Sequence, residues 1–132
     1  MTVGVADERS EIGACYHGIP QNDLGIRTDV LDCCPKHLGM MMLIRTMSPQ
    51  VVAVDEIGSR EDLEAMEYVM NCGCKLFATV HGSSLEEIHR KPVLGRMVEE
   101  AWFGRYVILD RNGTPGHVAA VLDGQGRELG CG

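Results

Sequence analysis

Apolar and polar positions alternate along this chain in short blocks that predict strand, helix, strand, helix. Val51 to Val54 is a continuous apolar run rich in β-branched residues, and it passes directly into Asp55 and Glu56. A run of that length and composition reads as a strand buried on both faces of a parallel sheet. Thr2 to Ala6 reads as a shorter strand ending at Asp7-Glu8, and Leu76 to Val80 as a third, again buried. Tyr106 to Leu109 reads as another strand. Val118–Leu122 and Arg127–Leu129, joined through Asp123-Gly124-Gln125-Gly126, read as a terminal hairpin.

Helices fill the intervals. Pro35 suits a first turn, Leu38, Met41, Met42 and Ile44 give that helix a broad apolar face, and Ser48-Pro49 stops it. Ser59-Arg60-Glu61-Asp62 is a capping box with Asp in place of Glu. It opens a helix with Leu63, Met66, Val69 and Met70 on one side and Gly73 at the position after its end. Ser84-Leu85-Glu86-Glu87 is a second capping box, before a short helix stopped by Pro92. A further helix places Leu94, Met97, Val98 and Ala101 on one face. Residues 13–34, with Gly, Pro, Asn and Asp, read as a loop with one helical turn at 28–33. The sum is one α/β domain over residues 1–132, with a mostly parallel sheet, helices on both faces and a C-terminal β-hairpin.

Composition adds limits. The chain has 132 residues, 45% hydrophobic and 23% charged, with a net charge of −7 and a pI near 5.1. One domain with one core fits that length. The acidic balance, with no interleaving of aromatic and basic residues, speaks against a nucleic-acid coat, a nucleic-acid motor or an anionic-membrane binder. The longest apolar stretch, Leu38 to Ile44, is too short to span a bilayer. The first residues carry acids and no apolar core of a signal peptide. The expected location is cytoplasmic or peripheral at a membrane. Six cysteines stand at 15, 33, 34, 72, 74 and 131 without a Cys-x-x-Cys pair. Without an export signal they read as free buried thiols rather than disulfides or metal ligands.

Candidate chemistry collects at strand ends. The first strand ends in Asp7, Glu8 and Arg9, the second in Asp55 and Glu56, the third in Thr79 and His81. In a parallel sheet these ends converge on one edge, the edge at which open α/β sheets bind ligands. Carboxylates there can hold a divalent metal through oxygen, and a histidine there can orient a phosphate. His17, His37, His89 and His117 have no ligand spacing and read as ordinary.

The ordered set Asp7-Glu8-Arg9-Ser10-Glu11-Ile12, Leu43 to Pro49, Val51 to Gly58 and Ala78 to Ser84 resembles the secretion-type ATPases, hexameric RecA-like motors with an aspartate box, a Walker B box and a histidine box in this order. With Gly18 to Asp23, Arg27 to Asp32 and Met40 to Arg45, the similarity narrows to the stage III sporulation AA family. These are mother-cell ATPases of endospore-forming bacteria, which energise a secretion-like channel. The resemblance covers nearly the whole chain from Val3. It implies the carboxyl part of a RecA-like P-loop NTPase core, with ATP and Mg²⁺ as ligands. Asp55 would hold the metal, with Asp7, Arg9 and Thr79 beside the nucleotide. Glu56 would be the base for water, His81 the γ-phosphate sensor, and Glu8 would orient water or metal. Arg9, Arg27, Arg45 and Arg60 would be choices for reaching phosphate across a subunit interface. Partners would be further copies in a hexameric ring and secretion-like membrane channel proteins, with no nucleic acid.

One element is missing from the pattern. A phosphate loop needs Gly-x-x-x-x-Gly-Lys-Ser/Thr, and the only lysines, Lys36, Lys75 and Lys91, precede neither Ser nor Thr. The resemblance therefore implies a chain inactive alone, with the missing strand near the middle of the sheet and two interior edges opened by its absence. The alternative is a non-catalytic scaffold of the same assembly.

Overall fold

The computed structural model describes residues 2–8, 28–32, 34–109 and 116–130. The chain divides into two compact units, Met1–His81 and Gly82–Gly132.

The first unit is a four-stranded sheet. β1 (Val3–Asp7) lies between β2 (Thr28–Asp32) and β3 (Val51–Val54), and β4 (Lys75–Ala78) follows β3, giving the order β2-β1-β3-β4. Every pairing is parallel, with Val3 opposite Val51 and Val51 opposite Lys75. α1 (Lys36–Met47) links β2 to β3, and α2 (Arg60–Asn71) links β3 to β4.

Packing follows the expected face in α2, whereas α1 buries Gly39, Met40, Leu43 and Ile44 and leaves Leu38 and Met42, expected on its apolar face, exposed. Val52, Val54, Met40, Leu43, Met66 and Val69 are buried, each worth about 1.5–3 kcal/mol in transfer free energy. Leu43 packs over Gly4. Gly39 brings α1 close to β1, because a Cβ there would lie 3.2 Å from the Ala6 methyl and 3.3 Å from Cys34 Sγ. α1 therefore covers the Gly4/Ala6 face, and α2 packs beside it against β4.

The described helices of this unit thus share one face, where helices on both faces were expected. The two crossovers step in the same direction across the sheet, and right-handed connection puts both on one side. The link from β1 to β2 runs the other way and lies outside the described residues.

α2 begins at the expected capping box. Ser59 Oγ accepts from Asp62 N at 3.0 Å, and Asp62 Oδ2 accepts from Ser59 N at 3.1 Å and Gly58 N at 3.0 Å. It ends with Gly73 at φ 84°, a conformation that favours glycine.

Three further expectations change in this unit. Residues 28–32 form a strand rather than a helical turn. Val30 and Leu31 take opposite faces of an outer strand, and the flanking aspartates hide the alternation in the sequence. β4 is half-buried rather than buried, because it is the outer strand on the other side. The sheet is also continuous, with β1 hydrogen-bonded directly to β3. The absence of a phosphate-loop strand therefore leaves no gap between the described strands.

The second unit holds two short helices, α3 (Leu85–Arg90) and α4 (Gly95–Glu99), and an antiparallel ribbon of β5 (Arg105–Leu109) with β6 (Val118–Asp123). Only half of the second capping box closes. Ser84 Oγ accepts from Glu87 N, while the Glu87 carboxylate takes Ser83 N and Ser83 Oγ instead. The helix expected through Ala101 stops at Glu99, and Ala101 turns to φ 53°. The expected terminal hairpin is present in outline. β6 pairs chiefly with β5, and the return after the 123–126 turn touches it at the single bridge Leu122–Glu128.

Candidate functional site

Parallel strands align their carboxyl ends, so the ends of β1, β3 and β4 lie on one edge. Ala6 is opposite Val54, which puts Asp7 and Asp55 one step further along neighbouring strands, whose axes lie about 4.8 Å apart. Asp7 is 0% exposed and Asp55 5%. By the alternation of the pleat both project from the face opposite α1, the face of Val5 and Ala53. Two carboxylates are thus buried at adjacent strand ends, a low-dielectric setting in which a charge partner matters most.

Glu8 falls on the other face, towards α1. Its Oε2 accepts from Lys36 Nζ at 2.5 Å, and the Lys36 side chain is 12% exposed. Burial pulls the Lys36 pKa down. The Glu8 hydrogen bond and the charges of Asp62, Glu8 and Asp55 outweigh it, leaving the ammonium above its ordinary value. Lys36 was missed by sequence reasoning. The available signal was its place as the first residue of a helix that follows a strand, which sets it at the carboxyl edge.

Glu56 is exposed and follows Asp55 at φ 40°, a left-handed conformation uncommon outside glycine. The turn is held from β4. Thr79 Oγ1 accepts from Glu56 N at 2.8 Å, Thr79 O accepts from Ile57 N at 2.9 Å, and Thr79 N donates to Val54 O at 3.2 Å. Thr79, singled out as a nucleotide neighbour, thus fixes the turn that carries Glu56. His81, also exposed, stands two residues beyond Thr79 at the same end of β4.

The arginines separate by topology. Arg60 opens α2 at the carboxyl edge, whereas Arg45 lies in the last turn of α1, at the amino edge. Nine residues of helix, about 14 Å of rise, separate it from Lys36. Arg9 and Arg27 lie outside the described residues. Cys34, Cys72 and Cys74 are joined in no disulfide, but Cys72 is exposed and Cys34 and Cys74 are half-buried, where buried thiols were expected. Cys74 Sγ donates to Pro49 O at 3.0 Å, and burial, with the neighbouring Cys72, raises its pKa.

Within the second unit, Leu85, Glu86, His89, Val98, Glu99 and Gln125 border an open cleft of about 370 Å³. Arg96 lies 5.3 Å from the Trp102 ring centroid and pairs with Glu100 at 2.8 Å. Among the described residues no group of three or more His, Cys, Asp or Glu side chains forms a metal cage, and no helix is long and apolar enough to cross a membrane.

The profile of the family Sporulation stage III, protein AA matches residues 1–129. The chain belongs to this family. It is 46% identical over 129 residues to Stage III sporulation protein AA of Bacillus subtilis (strain 168), covering 98% of this chain and 42% of that protein. Over 98 residues it is 27% identical to the uncharacterized protein ycf45 of Cyanidium caldarium, covering 74% of this chain and 29% of that one. Protein SEEDLING PLASTID DEVELOPMENT 1 of Arabidopsis thaliana is 26% identical over 133 residues, with coverages of 90% and 19%. The chain spans less than half the length of each of these relatives. No solved structure matches it.

Proposed function

We propose that this chain is part of an ATP-hydrolysing motor of spore formation, with a RecA-like core whose phosphate cradle belongs to a longer protein. The carrying observation is the pair Asp7 and Asp55, buried at neighbouring parallel strand ends, with Glu56 and His81 at the same edge. Family membership and the relatives' greater length support it.

The donor set fits Mg²⁺, a hard cation that keeps most of its water and takes one or two carboxylates plus substrate phosphates. Asp55 would hold it, with Asp7 beside it, and when bound it would neutralise charge on the phosphates. Glu56, solvent-accessible on its fixed turn, would take the proton from the attacking water. His81 would meet the γ-phosphate from the end of β4. Glu8, held by Lys36, would order water at the edge of the site. Arg60, at the start of α2, would reach a neighbouring subunit's nucleotide. In this reading the intact protein forms a hexameric ring and passes its motion to secretion-like channel proteins.

A second reading, a scaffold without turnover, draws on the absence of a phosphate-loop motif from these 132 residues. Calorimetry separates part of the question. The 132-residue chain should bind Mg-ATP more weakly than about 10 μM, or −7 kcal/mol, because the backbone cradle carries most triphosphate contact. The decisive comparison uses a chimera in which this chain replaces the matched segment of the Bacillus subtilis relative. There Glu56→Gln should leave ATP affinity nearly unchanged and lower steady-state turnover about 10²–10⁴-fold. Near-normal turnover in that variant would remove the general-base assignment and favour the scaffold.

A further inference from the structure

We propose that Cys72 and Cys74 form a dithiol redox site. It exchanges with small-molecule disulfides of the glutathione class and closes as a Cys72–Cys74 disulfide.

The pair spans the turn from α2 into β4, at the amino edge of the sheet. The fold brings the two residues together. Val69 O accepts from Cys72 N at 3.2 Å and from Cys74 N at 3.3 Å, and Met70 O accepts from Gly73 N at 2.9 Å. One carbonyl thus gathers both cysteine amides, as at a helix end closed by a left-handed glycine. Gly73 supplies that conformation at φ 84°. Two peptide steps reach about 7 Å at full extension. The turn shortens this towards the roughly 4.4–6.8 Å between Cα atoms that a disulfide accepts. A Cβ placed on Gly73 would meet nothing within 4 Å, so the turn has room to adjust as the bond closes.

The two thiols are not equivalent. Cys72 is exposed and Cys74 half-buried. Cys74 Sγ donates to Pro49 O at 3.0 Å, and burial, with the nearby Cys72, raises its pKa. An effect of one sulfur on the ionisation of the other requires that they lie near each other. Access and thiolate character decide which sulfur attacks first. Cys72 is therefore the attacking thiol and Cys74 the resolving one.

In the first step the Cys72 thiol gives its proton to water, and its sulfur attacks one sulfur of the small disulfide. A Cys72 mixed disulfide forms, the small molecule's S–S bond breaks, and one thiolate leaves and is protonated. Cys74 then loses its proton and attacks Cys72 Sγ. The Cys72–Cys74 bond forms, the mixed disulfide breaks, and the second thiolate leaves and is protonated. The protein gives up two electrons and two protons, and the small disulfide becomes two thiols. Closure takes Cys74 away from Pro49 O, just ahead of β3.

Tryptic mapping reads this site alone. Cleavage after Arg60 and Lys75 releases Glu61–Lys75, whose only cysteines are Cys72 and Cys74. The 132-residue chain is treated with oxidised glutathione, quenched with acid, digested and weighed. The peptide should become lighter by two hydrogens, and dithiothreitol should restore it. Cys74→Ser, which keeps a donor for Pro49 O, should stop at a glutathione adduct on Cys72. Cys72→Ser should form its adduct at least about tenfold more slowly. In urea that difference should vanish, because it comes from the fold. A wild-type peptide that stays reduced, accumulates the glutathione adduct or links to another cysteine overturns the proposal. Equal rates for the two variants in the folded chain overturn it as well. Should circular dichroism show the 132-residue chain unfolded without urea, the chimera is mapped by the same criteria.

Discussion

At the carboxyl edge of the parallel sheet, the charged side chains Asp7, Asp55 and Asp62 are buried. On the β5–β6 ribbon, the apolar side chains Val107 and Leu109 are each 56% exposed. The two regions differ in what surrounds the strands. β1 and β3 have a strand on each side and helices over one face, so even a polar residue at their ends is enclosed. The ribbon has two strands, and the alternation along β5 leaves Arg105, Val107 and Leu109 exposed. Burial here follows position in the architecture more than residue type, and charge is enclosed where partners or chemistry require it.

Core truncation gives the sharpest contrast between these regions. Met66→Ala should cost about 2–5 kcal/mol, since the side chain is fully buried between sheet and helices. Val107→Ala should stay within about 0.5 kcal/mol. Denaturant melts of both variants measure the difference, and similar losses would erase the distinction drawn here.

Asp62 tests whether a buried acid can be structural. Its carboxylate accepts the backbone N–H groups of Gly58 and Ser59. Asp62→Ala should therefore cost about 1–2 kcal/mol, a fall of several degrees in melting temperature for a unit of this size.

Glu56 should show the opposite sign. Its φ of 40° strains a side-chain-bearing residue. Glu56→Gly should stabilise the fold by up to about 1 kcal/mol, read as a higher melting temperature, although the same variant would lose the proposed base.

Lys36 should give a small loss that depends on pH. Lys36→Met should cost on the order of 1 kcal/mol or less at neutral pH, because Glu8 is partly exposed. The folded pKa of Lys36 is raised. Its contribution is thus full below the ordinary lysine value and is lost as pH rises through the raised one. Melts of both proteins should therefore converge in strong alkali, and a constant difference there would assign the loss to packing rather than charge.

Much of this was legible in the chain. The strand Val51–Val54, the helix boundaries at Pro35, Ser48 and Ser59, and the strand ends that converge on one edge follow from periodicity and capping, which are local. What escaped depends on neighbours distant in sequence. β2 was obscured by Asp29 and Asp32 and is recognisable only by its pairing with β1. The exposure of Phe77 comes from β4 having one strand neighbour, which nothing within Lys75–Ala78 encodes. The Lys36–Glu8 pair joins positions 28 apart, and the bond from Glu56 to Thr79 joins positions 23 apart. No window of adjacent residues contains either.

The pleat gives the pair Asp55-Glu56 a kind of parity. Side chains along β3 alternate between faces, so whether a residue meets α1 or the opposite face depends on whether its distance from Val51 is odd or even. Deleting or inserting one residue anywhere in β3 would keep its apolar character and its hydrogen-bonding capacity while turning Asp55 to the helix side. Adding or removing two would restore the facing. The strand therefore tolerates changes of spelling better than changes of count, and the acidic edge is inherited as a number as much as a sequence.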